Sequence, residues 1–289
     1  ISVPFILPSI VVGAAFLQVL PNSFHRTAFA LILAHTYFNF GFASRIIGAR
    51  WLQIHPHLDD AARTLGASPR QVFMSITLKL LGKVILNSAL VVFTLCFTSY
   101  GVVRVLGGPS RSTIETEIYF RAMQLGDVSG ALVLSVLQIC VISIAFLLIS
   151  SIRRTNRLQI INTTISRQRL ISKTSQKLAI STICLMSIAF ALVPILAIFR
   201  KSLISNSRLN TNAWREVLSD ARVLQSLTTS LGYAIATILI ATTIALLAAS
   251  SLAYNKNFRF ISALTSLPIL VSAVSIGLGI IVTFDTQPF

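Results

Sequence analysis

Asp59-Asp60-Ala61-Ala62-Arg63-Thr64-Leu65-Gly66-Ala67-Ser68-Pro69-Arg70-Gln71-Val72-Phe73-Met74-Ser75-Ile76-Thr77-Leu78 is a short, soluble-looking helix–turn–helix pattern set between two segments apolar enough to cross a membrane. Gly66 can adopt the left-handed conformation that closes a helix, so a first helix is predicted to end there. Ser68 then reads as an N-cap, Pro69 as the tolerated first helical residue, and Gln71 as the far side of a capping box. Val72, Phe73, Ile76 and Leu80 follow at helical spacing and give the second helix one apolar face. Asp59 and Asp60 fall in the first turn of the first helix, where the helix dipole favours negative charge. The plainer alternative is an amphipathic helix lying on a membrane surface, but spacing, caps and flanking spans all agree on a discrete element.

Composition carries the pattern into a fold class. The chain is 54% hydrophobic and 11% charged, with a mean hydropathy of +0.81, far from a water-soluble domain. Seven stretches are apolar over the about 20 residues needed to cross a bilayer: 1–20, 27–47, 84–106, 129–152, 178–199, 224–253 and 262–284. Backbone groups in lipid must bond within their own segment, and the long unbroken runs exclude short alternating barrel strands. The expected class is an all-α polytopic membrane protein of about seven transmembrane helices, with the helix–turn–helix on its cytoplasmic side.

A net charge of +16 invites a nucleic-acid reading, but its placement points to topology. With 48–83, 153–177 and 254–261 inside, fourteen Lys and Arg face the cytoplasm against nine outside, counting Arg104 at the edge of its span. Six of the eight acids (Glu115, Glu117, Asp127, Glu216, Asp220 and Asp285) fall outside. That is a modest positive-inside bias. Basic loops beside lipid headgroups account for the charge, and no nucleic-acid partner is expected.

The ends of the chain echo each other weakly. Leu7-Pro8-Ser9-Ile10-Val11-Val12-Gly13-Ala14 resembles Leu267-Pro268-Ile269-Leu270-Val271-Ser272-Ala273-Val274 at an offset of 260. Residues 1–152 are then the later part of one repeat and 178–289 the early, truncated part of a second. Between them, 153–177 holds seven basic and no acidic residues, the composition of a cytoplasmic linker. The chain opens at Ile1 without an initiator Met and stops at Phe289 just after a span, so it is read as an internal fragment. Residues 108–128 form the largest outer loop of the first part, with Ser112 and Glu115 expected to cap an interfacial helix. Ile114, Ile118, Tyr119, Ala122 and Leu125 mark its apolar face, and Glu117 is placed to pair with Arg121. Trp214 is expected as an interfacial aromatic before the span near Leu224.

Chemistry is sparse. There is no G-x-x-x-x-G-K-[ST], H-E-x-x-H or G-x-S-x-G, so no catalytic residues and no ATP site of its own are expected. Cys96, Cys140 and Cys184 lie in apolar runs without ligand spacing, and packing is the default reading. His55 and His57 beside Asp59 mimic a metal cluster, but a wetted loop is the preferred setting; no metal or cofactor is expected. Within the spans the polar candidates are His35, Asn39, Arg45, Asn87, Arg104 and Gln138. Arg45 and Arg104 sit near span ends and can snorkel. His35 and Asn39, four apart on one helix face, are the pathway candidates, against the plainer role of hydrogen bonding between helices. No Asp or Glu falls in the expected membrane core, which counts against a proton-coupled carrier.

The opening segment resembles the EAA loop of binding-protein-dependent ABC importer permeases, whose pattern is E-A-A-x3-G-x9-I-x-L-P. Asp60, Ala61, Ala62, Gly66, Ile76 and Leu78 match it, with Asp60 in place of Glu and Lys79 in place of Pro. Leu33-Ala34-His35-Thr36-Tyr37-Phe38-Asn39-Phe40, Phe93-Thr94-Leu95-Cys96-Phe97-Thr98-Ser99-Tyr100 and Thr113-Ile114-Glu115 with Ile118-Tyr119 look like the thiamine and iron(III) two-repeat permeases, the thiamine type being nearer. The resemblance runs from about residue 5 to 125. It implies a permease subunit in a prokaryotic plasma membrane, not itself an enzyme, partnered by a cytoplasmic ABC ATPase dimer and an extracytoplasmic substrate-binding protein. It also implies that Asp60, Ala61, Ala62, Leu65, Gly66, Val72, Phe73, Ile76 and Leu78 couple to the ATPase, within a loop spanning 55–80. A second coupling loop is expected beyond Phe289. The rival readings are a secondary transporter without an ATPase partner and a membrane-embedded enzyme.

Overall fold

The computed structural model describes residues 3–108, 110–156, 174–205, 208–254 and 271–284. Among the expectations above, Arg157 to Lys173 of the linker, Leu267 to Leu270 of the echo, the start of the 262–284 span, and Asp285 lie outside the described residues.

The described residues are almost entirely helical. In chain order the helices are α1 (Val3–Ile6), α2 (Ser9–Val19), α3 (Ala28–Leu52), α4 (Pro56–Thr64), α5 (Pro69–Val72) and α6 (Leu78–Phe97). They continue as α7 (Gly101–Leu106), α8 (Ile114–Phe120), α9 (Val128–Asn156), α10 (Thr174–Leu203), α11 (Asn212–Ser219), α12 (Ala221–Tyr254) and α13 (Ala273–Phe284). π-helical turns occupy Phe73–Thr77 and Arg121–Leu125. A two-residue antiparallel pairing sets Ile204–Ser205 against Arg208–Leu209.

Four helical stretches are long and apolar enough to cross a membrane: Pro69–Phe97, Val128–Ile149, Thr174–Leu203 and Ala221–Ser251. The chain is therefore a polytopic membrane protein, almost entirely helical among the described residues. The other three expected spans differ for local reasons. Residues 1–20 break at Pro8, which has no N–H to continue α1, and leave an 11-residue α2. Helix α3 is long at 25 residues, but His35, Asn39 and Arg45 dilute its apolar character. The described part of 262–284 holds only the 12-residue α13. The expected span 84–106 begins much earlier, as α6, and is interrupted at Thr98–Tyr100 before α7.

The chain packs as two compact units. The first gathers Ile1–Ala197 with Ser272–Phe289. Its main core joins Val12 and Phe16 of α2, Ala34 and Tyr37 of α3, and Val102 and Leu106 of α7, all buried. Tyr37 meets the Phe16 ring edge-on at 5.4 Å and Phe190 of α10 at 5.5 Å. Small residues set the spacing, as expected where lipid removes the hydrophobic driving force between helices. At Gly13 a Cβ would stand 2.8 Å from Val105 Cβ, so α2 and α7 approach more closely than any larger residue allows. A second core joins Ile118 of α8, Ala131 of α9 and Leu278 of α13.

The second unit is Ile198–Val271. The Trp214 indole N–H donates to the Ser202 carbonyl at 3.2 Å and ties α11 back to the end of α10. Asp220 caps α12 by accepting from the Arg222 amide at 2.8 Å. The apolar side chains of α12 are exposed, the surface a lipid-facing helix presents.

Candidate functional site

The helix–turn–helix is built by three local devices. Pro56 starts α4, and the His55 ring accepts from the His57 amide at 3.3 Å, so His55 is the N-cap of the helix. The two imidazoles lie 4.6 Å apart between centroids, and among the described residues no group of three His, Cys, Asp or Glu is placed to hold a metal.

At the other end of α4, Gly66 takes φ +84°. The Ala67 amide donates to the Ala62 carbonyl at 3.0 Å, and the Gly66 amide donates to the Arg63 carbonyl at 3.0 Å. Those two bonds are a Schellman closure, with glycine at its left-handed position. Ala62 and Gly66 are thus held four residues apart by backbone geometry, not only by pattern.

The second helix then restarts at once. The Ser68 amide donates to Gln71 Oε1 at 2.8 Å and the Gln71 amide to Ser68 Oγ at 3.4 Å, a reciprocal capping box with Pro69 at the first helical position. Beyond α5 the buried face runs Val72, Thr77, Leu81 and Ser88. The five-residue step from Val72 to Thr77 is the π turn, which admits one extra residue. This corrects the expected apolar face: Phe73 and Leu80 are exposed and Ile76 is half-buried. The Phe73 ring lies 5.9 Å from Trp51 at the end of α3.

Several apolar side chains of the element are uncovered, Leu58 and Leu65 before the spans and the others within Pro69–Phe97. Leu65 is 89% exposed, and Leu58, Phe73, Met74 and Leu78 are exposed with it. Asp60, Ala61 and Gly66 are exposed beside them, and Ala62 is half-buried. Asp60 lies 4.0 Å from His57.

The pathway candidates meet a different environment. Asn39 is buried, and its Nδ2 donates to the His35 carbonyl at 2.9 Å and to Cys96 Sγ at 3.4 Å. The amide therefore pairs with the backbone of His35 rather than its ring. Asn39 Oδ1, Asn87 Oδ1 and Ser88 Oγ are buried without a hydrogen-bond partner. Buried polar atoms of that kind call for a ligand, water or a second conformation.

The outer loop departs from expectation. Thr113, not Ser112, caps α8, its amide donating to Thr116 Oγ1 at 2.8 Å. Released from capping, Glu115 turns inward and is 1% exposed. Its carboxyl oxygen accepts from Gln138 Nε2 of α9 at 2.5 Å, at the outer loop, while the four spans themselves hold no Asp or Glu. Gln138 was the available signal: a lone amide in an apolar span needs a partner. Glu117 does pair with Arg121, Nε to Oε1 at 3.0 Å.

The family described as "Binding-protein-dependent transport system inner membrane component" matches residues 1–155. The chain belongs to that family. The matched permease region takes in the helix–turn–helix, the buried Asn39, and Glu115 with its partner Gln138. The permease is similar to the putrescine transport system permease protein PotI of Escherichia coli strain K12, 26% identical over 44% of this chain and 47% of the relative. It is similar to the thiamine transport system permease protein ThiP of Haemophilus influenzae, 27% identical over 74% of this chain and 43% of the relative. The ferric transport system permease protein FbpB of Actinobacillus pleuropneumoniae is 36% identical over 34% of this chain and 13% of the relative. The chain thus spans about half the length, or less, of these relatives. No solved structure matches it.

Proposed function

We propose that the chain is the transmembrane permease subunit of an ATP-driven, binding-protein-dependent importer in a prokaryotic plasma membrane. Residues 55–80 are its cytoplasmic coupling loop, one of two in a seven-span or longer two-repeat permease. The observation that carries this reading is the pair of uncovered leucines of the helix–turn–helix, Leu58 and Leu65, with Leu65 at 89% exposure next to a Schellman-closed Gly66. A rigid, capped turn that exposes Leu58 and Leu65 outside the spans needs a protein cleft to receive it. Asp60, Ala61, Ala62, Leu65 and Gly66 enter the ATPase cleft, where small residues allow close approach. Val72, Ile76 and Thr77 fix the loop to α6, and Phe73 with Leu78 completes the contact. Closure of the ATPase dimer on nucleotide then moves α6 and rocks the spans between inward-open and outward-open states. His35 and Asn39 line the substrate route, with the unpartnered Asn39 Oδ1 offering an acceptor.

For cargo, thiamine is the first assignment and iron(III) the second. The similarity to the thiamine permease of Haemophilus influenzae extends over 235 residues of alignment, well beyond the family match. Putrescine, named in the permease of Escherichia coli, is the competing cargo.

The test is co-purification of the permease with its ATPase subunit, comparing the native loop with Gly66→Pro and Asp60→Lys. The native loop should retain the ATPase and both variants should lose it. Equal retention by all three would overturn the coupling assignment. Binding-protein-dependent uptake of labelled thiamine, iron(III) and putrescine by the assembled complex then decides the cargo.

A further inference from the structure

Among the described residues Glu115 is the one buried carboxyl group. Gln138 Nε2 reaches it from α9. The Ser272 hydroxyl and the Val274 backbone lie beside it at the start of α13, the hydroxyl donating to Ser275 Oγ at 3.0 Å. Ser272 immediately precedes α13 and is its N-cap, accepting from the Ser275 amide at 3.1 Å. Ser275 Oγ donates in turn to Gln138 Oε1 at 3.3 Å, which closes the ring of contacts. Gln138, Ser272 and Ser275 are all buried with it.

The chemistry of this arrangement is specific. A buried charge without a counter-ion persists only where hydrogen bonds and dipoles balance it. Here the Gln138 amide and the positive end of a 12-residue helix lie against one carboxyl group, and burial still pushes its pKa above the ordinary value. Glu115 therefore brings, from more than 150 positions earlier in the sequence, a carboxyl group to the N-terminus of α13. Beside it Ile118, Ala131 and Leu278 form a closed apolar contact among the same three helices.

We infer that Glu115 is a positioning residue for transport: its carboxyl group, through Gln138 and Ser275, fastens α8, α9 and α13 into one body that moves together in alternating access. The functional half of this inference rests on the importer reading; the fastening does not. The residues before and after the 153–177 linker are joined here by a hydrogen-bond chain from Glu115 through Gln138 to Ser275 rather than by apolar contact alone. Loss of the carboxyl group leaves the Gln138 side-chain N–H a buried donor without its acceptor, so the fastening should open.

Two readouts test this in the full-length protein in membranes. The first replaces Ile114 and Val274 by cysteine, with Cys96, Cys140 and Cys184 changed to alanine, and measures cross-linking by a short bis-maleimide. Ile114 and Val274 pack on the same apolar contact, so Glu115-containing protein should cross-link efficiently. Glu115→Ala should lower the yield about tenfold, and the isosteric Glu115→Gln, which folds with the same shape, should lower it less. The second measures ATP hydrolysed per substrate imported by the assembled complex. That ratio should rise severalfold in Glu115→Ala and return towards the native value in Glu115→Asp, whereas a fault confined to folding lowers hydrolysis and uptake together. Unchanged cross-linking in both variants overturns the fastening. Altered cross-linking with an unchanged ratio overturns the role in transport. If the native complex shows no ATP-dependent uptake, the importer reading fails, and cross-linking alone still decides whether Glu115 fastens α13.

Discussion

The Tyr37 hydroxyl donates to the carbonyl oxygen of Ala191 at 2.9 Å, three residues before Pro194 in α10. Pro194 has no N–H to give the Phe190 carbonyl and its ring crowds that turn. Tyr37 is fully buried and lies edge-on to Phe190, so the weakest turn of α10 is held by a side chain from α3. Tyr37→Phe keeps the ring and removes the donor. It should cost about 0.6–2 kcal/mol, the range for hydrogen bonds between membrane helices, read as a lowered thermal midpoint in detergent. Tyr37→Ala should cost about 3–5 kcal/mol, because it also empties the space between Phe16 and Phe190.

The capping box at Ser68 and Gln71 makes a second, local prediction. Ser68→Ala removes the acceptor for the Gln71 amide and should destabilise α5 by about 1 kcal/mol. Ser68→Asp replaces it with another N-cap and should not. Amide exchange at Gln71 and Val72 distinguishes the two, with faster exchange expected only in the alanine variant.

Asp127 gives the pH dependence. It accepts from the Gly130 amide at 2.9 Å, capping α9, and from Arg121 Nη1 at 2.9 Å. The Gly130 amide first, and the Arg121 guanidinium second, hold its carboxyl below its ordinary value of 3.8. A carboxyl depressed on folding stabilises the fold fully above its unfolded pKa and loses that contribution as pH falls through the folded value. The first turn of α9 should therefore hold at pH 6 and loosen only below about 3.8, seen as lost protection of the Gly130 amide after correction for intrinsic exchange. Asp127→Asn should abolish that acid step.

The helix–turn–helix was legible because each of its devices is local: a left-handed glycine, a capping serine, a proline at the first helical position. Membrane character was legible too, since composition alone decides whether a 20-residue helix tolerates lipid. What could not be read were choices made between distant segments. The amphipathic pattern of 112–125 allows a cap at Ser112 or Thr113, and only Gln138 and the start of α13, far along the chain, turn Glu115 inward. The spacing of Val72, Phe73 and Ile76 assumes 3.6 residues per turn, which a π turn breaks without changing composition. His35 and Asn39 do share a helix face, but the Asn39 amide prefers a backbone carbonyl and a thiol to the imidazole.

The π turn itself is testable by deletion. Removing the exposed Ser75 converts Phe73–Thr77 into an ordinary turn and brings Val72 and Thr77 to four-residue spacing, with both still on the buried face. Removing Leu86 from the regular part of α6 instead rotates everything beyond it by about 100° and exposes Ser88 and its neighbours. Deletion of Ser75 should leave a monodisperse protein with a thermal midpoint close to native. Deletion of Leu86 should aggregate.

Close approach of α2 and α7 makes the most demanding prediction. The Cβ of an alanine at position 13 would lie 2.8 Å from Val105 Cβ and 3.1 Å from its Cγ1, so one helix must retreat. Gly13→Ala should cost about 1–3 kcal/mol, the range for overpacking, and Gly13→Leu more. Val105→Ala removes both Cγ atoms and lets the two Cβ atoms part with a small helix shift. The double variant should then be more stable than the sum of the two single changes predicts, by about 1 kcal/mol in a double-mutant cycle. Strict additivity would mean that the two helices already part freely at this point, and that Gly13 is there for helix flexibility rather than for contact.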